Sequence, residues 1–194
     1  FIITGIILKL IINKFDPNYG LMKSINLSFI GGFISGITPS STGGQISQVY
    51  ILTKNKVSID KAFGVVWLDF LFFQITFIAY SIILFMNILY LTTIELNFWN
   101  LVLVGGFIGN FITLLMMLLI FIDYKIIVKI SYGVISLLRK LKIIKNISVV
   151  KIKTHKKIKQ FNMSILFFKG ETQLLIKIFI LNIIRFTMQF IFTL

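Results

Sequence analysis

The chain has 194 residues, 57% of them hydrophobic, and a mean hydropathy of +0.97. Soluble domains are about 45–50% apolar, so the long uncharged runs exclude an ordinary soluble domain and point to an all-α, polytopic membrane protein, while their lack of apolar–polar alternation excludes a β-barrel. The absence of Cys excludes disulfides and thiolate metal sites, and the formal charge of +14 fits the positive-inside rule and attraction to anionic lipid better than DNA binding.

Phe1–Ile12 reads as the tail of a membrane helix. No charged segment precedes it and no small-residue cleavage site follows, which argues against a signal peptide. The chain starts at Phe1 and both ends are apolar (Phe1–Ile12, Leu174–Leu194). Residues 1–194 are therefore expected to be one membrane domain cut at both ends from a longer protein. Asn13–Ser24 reads as a loop, with Asp16-Pro17-Asn18 as its turn signal.

Ile25–Ile37 is apolar and carries Gly31, Gly32 and Gly36. A helix of this length rises only about 20 Å, against a hydrocarbon core of about 30 Å. A re-entrant half-helix is expected, with Gln45–Thr53 as the returning half. Lys54–Lys61 is a short basic loop. Ala62–Leu91 is a long span with Asp69 and Gln74 inside it, Thr92–Asn97 a short loop, and Phe98–Ile122 an uncharged span.

Residues 123–160 carry ten Lys and Arg139 against Asp123 alone, a net of +10 (11 minus 1). Within them Ile127, Ile130, Val134, Leu137, Leu141 and Ile144 recur at spacings of three and four, one apolar helical stripe. The pattern predicts a basic amphipathic segment lying on an anionic leaflet; the alternative is a helix packed on the membrane domain or a partner. Leu174–Leu194 is the last span. Positive-inside counting places Lys54–Lys61, residues 123–173 and, less strongly, Asn13–Ser24 in the cytoplasm, and Thr92–Asn97 outside.

Between the two half-helices runs Ile37-Thr38-Pro39-Ser40-Ser41-Thr42-Gly43-Gly44-Gln45. Non-helical backbone at membrane depth is tolerated only where protein or a water-filled cavity surrounds it, which makes this run a candidate site. Pro39 removes a donor and pushes Thr38 out of the α region. Gly43 and Gly44 permit positive φ and close backbone approach. Thr38, Ser40, Ser41 and Thr42 supply hydroxyls, Gln45 and Gln48 supply amides, and the following helix start offers N–H groups to an anion such as a lipid phosphate. No Gly-Lys-Ser/Thr follows, so this is not a nucleotide loop.

The stretch Thr38-Pro39-Ser40-Ser41-Thr42-Gly43-Gly44-Gln45, followed by Val49-Tyr50-Ile51-Leu52, resembles the signature of the lysylphosphatidylglycerol synthase transmembrane family, the flippase-like domain of bacterial multiple peptide resistance factors. The basic loop Lys54–Lys61 and Gly105-Gly106-Phe107-Ile108-Gly109-Asn110 stand in the expected order. Many members have Glu where this chain has Gln45. The resemblance implies a multi-pass protein of the bacterial cell membrane that moves lipid headgroups, with phosphatidylglycerol or its lysyl ester as first partner. It also implies an alternative: the membrane part of a phosphatidylglycerol lysyltransferase, whose C-terminal soluble domain uses lysyl-tRNA. Nothing in residues 1–194 looks like that catalytic domain. A channel with Ser41-Thr42-Gly43-Gly44 as its filter is the third reading. Homo-oligomer formation stays open.

Two ionisable groups inside spans join the expected headgroup site, Thr38, Pro39, Ser40, Thr42, Gly43, Gly44, Gln45 and Gln48: these are Asp69 and Arg185. Intramembrane charges are costly and either functional or paired. Arg185 can bind a lipid phosphate bidentately or pair with Asp69. Asn182, Arg185, Gln189 and Thr193 make one polar helical face. Gly32–Gly36 and Gly105–Gly109 have GxxxG spacing, whose default meaning is close helix packing, and Asn110 is expected to hydrogen-bond a neighbouring helix. Trp67, Tyr90 and Trp99 read as interfacial anchors. His155, the only histidine, has no nearby carboxylates, so no metal site, catalytic set or cofactor is expected, and His155 is expected to face solvent or headgroups.

Overall fold

A computed structural model describes residues 1–91, 98–122, 124–140 and 147–191, excluding the side chains of 40, 87–91, 98–100, 103, 120–122, 124, 127, 140 and 149. Among the described residues there are eight α-helices and no strand: α1 (Ile2–Ile12), α2 (Leu21–Ile37), α3 (Gly43–Lys54), α4 (Ile59–Leu91), α5 (Phe98–Ile122), α6 (Tyr124–Lys140), α7 (Ile147–Lys169) and α8 (Thr172–Ile191). A single 3₁₀ turn, Pro39–Ser41, separates α2 from α3. The all-α expectation holds, and α5 has the bounds expected of it.

Apolar length makes α4 and α8 able to cross a bilayer. In their most apolar stretches only 28% and 22% of residues are buried within the protein. Helices that form the core of a soluble protein are buried all round; these faces need an apolar solvent instead.

The α1–α2 loop is shorter than expected. Asn18 N–H donates to Asp16 Oδ1 (3.2 Å) and Tyr19 N–H to Asp16 O (3.1 Å), so the Asp-Pro-Asn turn closes tightly. The helix then begins at Leu21, four residues before the expected Ile25, and takes in the polar residues Lys23 and Ser24. The Ser24 hydroxyl donates to Gly20 O (3.4 Å) within that first turn. Buried Tyr19 packs beneath the loop; burial, then the nearby Asp16, pushes its phenol above its usual pKa.

The bundle core joins Ile7, Leu8, Ile11 and Ile12 of α1 to Leu27 of α2, Leu52 of α3, Val65 and Leu68 of α4, and Ile178 of α8. Gly5 lets α1 lie against α2: a Cβ there would sit 2.7 Å from Ile25 Cα. α3 ends in a Schellman motif. Val57 N–H donates to Leu52 O and Lys56 N–H to Thr53 O, each at 3.1 Å. Lys56 takes the left-handed position, φ 66°, and Leu52 and Val57 are both buried beside it.

The α1–α2 loop, the start of α4, the end of α7 and the start of α8 meet at one end. Lys14 Nζ bonds Glu171 Oε2 (2.6 Å), the Lys61 ammonium sits over the Phe15 ring (5.2 Å), and Phe15 packs on Phe167 and Phe168 (4.9 and 5.3 Å).

Of the basic stretch 123–160, residues 124–140 lie in α6 and residues 147–160 in α7; these two helices pack on each other, and α7 continues to Lys169 because its second half turns apolar and packs on α4. Trp67, expected as an interfacial anchor, meets Phe161 of α7 edge-on (6.1 Å). His155 is half-buried, its Nδ1 3.3 Å from the Tyr132 hydroxyl, and so links α7 to α6 where exposure was expected. Tyr90 and Trp99 have side chains outside the described set, and Leu141 and Ile144 of the expected stripe lie outside the described residues.

Candidate functional site

Pro39 ends α2 in the way its chemistry requires. Thr38 is extended (φ −106°, ψ 143°), out of the α region. Its side chain then clasps the break: Oγ1 donates to Ile34 O (2.7 Å) and accepts from Gly43 N–H (3.1 Å). One of the N–H groups expected to be available at this helix start is thus already used by Thr38. The left-handed residue of the break is Ser41 (φ 54°), and no glycine has positive φ. A non-glycine residue in this region stores backbone strain, a feature that clusters at ligand sites.

The two glycines serve close approach instead. A Cβ on Gly44 would lie 2.5 Å from Gly31 O and collide with Ser35 Oγ; one on Gly43 would lie 2.5 Å from Thr38 Cγ2. Gly31 makes the reciprocal space, because a Cβ there would collide with the Gln48 side-chain amide. These contacts fold α3 back against α2 as a helical hairpin.

Behind the hairpin lies a cavity of about 380 Å³. The hairpin contributes Thr42 at the break and Gln45 and Gln48 on α3; α4 contributes Asp69 and α8 contributes Arg185. Five expected site residues thus line one space, although they come from three parts of the sequence. Thr38, Pro39, Gly43 and Gly44 do not line it; they shape the hairpin that forms its wall. The Ser40 side chain lies outside the described set.

Ser28 and Ser35 of α2 also line the cavity and were not among the expected residues. Ser28 Oγ donates to Phe1 O (2.7 Å) and Ser35 Oγ to Ser41 O (3.2 Å). Their seven-residue separation, two helical turns, is the one signal that could have picked them out. Phe70 and Phe73 supply an apolar wall.

Asp69 lies ten residues past the first residue of α4, about 15 Å along its axis. The helix begins at Ile59, three residues earlier than expected, so Asp69 lies one turn farther from its start than the sequence suggested. Arg185 Nη1 stands 3.4 Å from Asp69 Oδ1, and the guanidinium lies 4.7 Å from the centre of the Phe73 ring. The pair makes one N–O contact, not the bidentate fork Arg can form with a carboxylate. It is mostly buried, with side-chain exposures of 18% and 13%.

The polar face expected on α8 divides by depth. Asn182 is fully buried, donates from Nδ2 to Ile178 O (3.0 Å), and its Oδ1 has no hydrogen-bond partner among the described residues. Arg185 faces the cavity, Gln189 is exposed, and Thr193 lies outside the described residues. Asn110 meets Gln74 across α4 and α5, with Gln74 Nε2 3.5 Å from Asn110 Oδ1. This is the expected interhelical bond, at the long limit.

Chemically, the cavity presents one guanidinium, one carboxylate, hydroxyls and amides, and Gln45 brings the first turn of α3, whose dipole favours an anion, to its edge. Its volume falls within the range of about 300–1,000 Å³ typical of small-ligand sites.

No curated protein and no solved structure matches the chain. The family model described as the lysylphosphatidylglycerol synthase TM region matches residues 1–193. With nearly its whole length matched and its signature run forming the wall of this cavity, the chain belongs to the lysylphosphatidylglycerol synthase transmembrane family.

Proposed function

We propose that this membrane protein moves phospholipid headgroups across the bilayer of a bacterial cell membrane, with the α2–α3 hairpin re-entering the membrane and the cavity behind it as the headgroup site. The observation that carries the reading is the buried, single-contact Asp69–Arg185 pair on the wall of a cavity that Thr42, Gln45 and Gln48 also line. A phosphate suits Arg185 and the start of α3; an amine suits Asp69. A headgroup with both charges, such as the lysyl ester of phosphatidylglycerol, can separate the pair and satisfy each member. Phosphatidylglycerol itself would use the guanidinium alone. On this reading the end that carries Lys14, Lys61 and α7 faces the cytoplasm.

The family description names a synthase, which favours a second role. In that case the cavity handles the product of a lysyl-tRNA-dependent transferase.

The test is lipid translocation in vesicles reconstituted with Thr42→Val, Gln45→Leu and the double variant Asp69→Leu/Arg185→Met. A hydrogen bond to a charged group is worth about 1.5–3 kcal/mol, so the double variant should slow transport by about tenfold or more. The two hairpin variants should slow it less. Normal rates in correctly inserted variants would overturn the site.

A further inference from the structure

We infer that α6 is a membrane-surface helix, seated on an anionic leaflet by a face that the protein itself leaves uncovered. Its apolar arc is wider than its partner can cover. Ile135 is turned inward and only 6% exposed, on the side where Tyr132 meets His155 of α7. Ile130, Val134 and Leu137, spaced by four and three, are 52%, 50% and 58% exposed. The α7 contact therefore accounts for one part of the apolar surface, and a second stripe faces away from it.

Two observations commit that stripe to lipid. The first is position. α5 is an uncharged helix of 25 residues, long enough to span, and α6 begins two residues after α5 ends. Val102, Ile108, Phe111, Ile112 and Leu115 of α5 are themselves exposed. A helix that starts at the end of a spanning segment starts near the bilayer interface. The second is charge. Lys125 and Lys129 are exposed; at 100° per residue Lys129 stands about a right angle from the stripe, at its edge, and Lys125 lies farther round on the polar face. Apolar residues below a lysine edge are the pattern of helices that lie in the headgroup plane of anionic lipid. This inference does not rest on the cavity or on transport.

Residues 1–194 contain no Cys, so a single Cys introduced into this chain can be labelled selectively. Val134→Cys, Leu137→Cys and, on the polar face, Ser136→Cys would each carry an environment-sensitive fluorophore in reconstituted vesicles. Nitroxide on lipid acyl chains should quench the labels at 134 and 137 and leave 136 little affected, with aqueous iodide giving the reverse order. The contrast should grow when phosphatidylglycerol replaces half of the phosphatidylcholine, and shrink with Lys125→Glu/Lys129→Glu. Equal iodide access at all three sites would overturn the proposal. So would quenching insensitive to both phosphatidylglycerol and the charge reversals, or cross-linking of Leu137→Cys copies that shields the stripe in either lipid.

Discussion

The glycines of the α2–α3 hairpin and those of α5 look alike in sequence and differ in what surrounds them. Gly105–Gly109 has the spacing of a helix-packing motif, yet among the described residues a Cβ at Gly105, Gly106 or Gly109 would meet nothing within 4 Å. In the hairpin, a Cβ at Gly44 would run into the Gly31 carbonyl, and one at Gly31 into Gln48. Even there the expected Gly32–Gly36 pair is not the one that packs. Gly32 faces the Phe1 ring, Gly36 faces open space, and Gly31 carries the contact. Spacing allows close approach; the neighbouring backbone decides whether it occurs. The hairpin side of the molecule closes around buried charge, whereas α5 presents its small residues bare.

The largest expected effect tests the closed side. Arg185→Met alone leaves the mostly buried Asp69 carboxylate without its cation and should cost about 3–5 kcal/mol of stability, because a buried charge loses its partner. Adding Asp69→Leu should restore most of that loss. Unfolding of both variants in detergent checks it; if the double variant were no more stable than the single, the two residues would not be energetically coupled. The next effect contrasts the two glycine sets directly. Gly44→Ala should destabilise by about 1–3 kcal/mol by overpacking against backbone, whereas Gly109→Ala should be neutral or stabilise by about 0.5–1 kcal/mol as an unhindered helix substitution. Similar losses at both sites would erase the distinction between closed and bare faces. The smallest effect concerns the exit from the hairpin. Lys56→Gly relieves the left-handed lysine of the Schellman motif and should stabilise by about 1 kcal/mol, which a rise in melting temperature would register.

Much of this was legible where local chemistry is decisive. Pro39 ended α2 at the expected place because it lacks a donor and forces Thr38 to extend, and α5 kept its bounds because its apolar run is unbroken. The pairing of Asp69 with Arg185 was one of two options that charge inside a span allows. Other features left no local mark. α2 began before its expected start because a tight Asp16 turn frees Leu21 onward for helix despite Lys23 and Ser24. α7 has no clean stripe: its first half is basic, and its second half is apolar for contacts with α4.

The sequence by itself determined the class of the molecule and the break at Thr38–Pro39, because hydropathy, helix rise and proline stereochemistry act within a few residues. Its residue order also placed the chain in its family. Only the tertiary structure decided which polar groups share a cavity. Thr42 and Gln45 come from the hairpin, Asp69 from α4 and Arg185 from α8, and only the packing of those helices brings them together. It also decided that Ser41 and not a glycine turns left-handed, and that one stripe of α6 remains uncovered, since both depend on what the neighbouring segments already occupy.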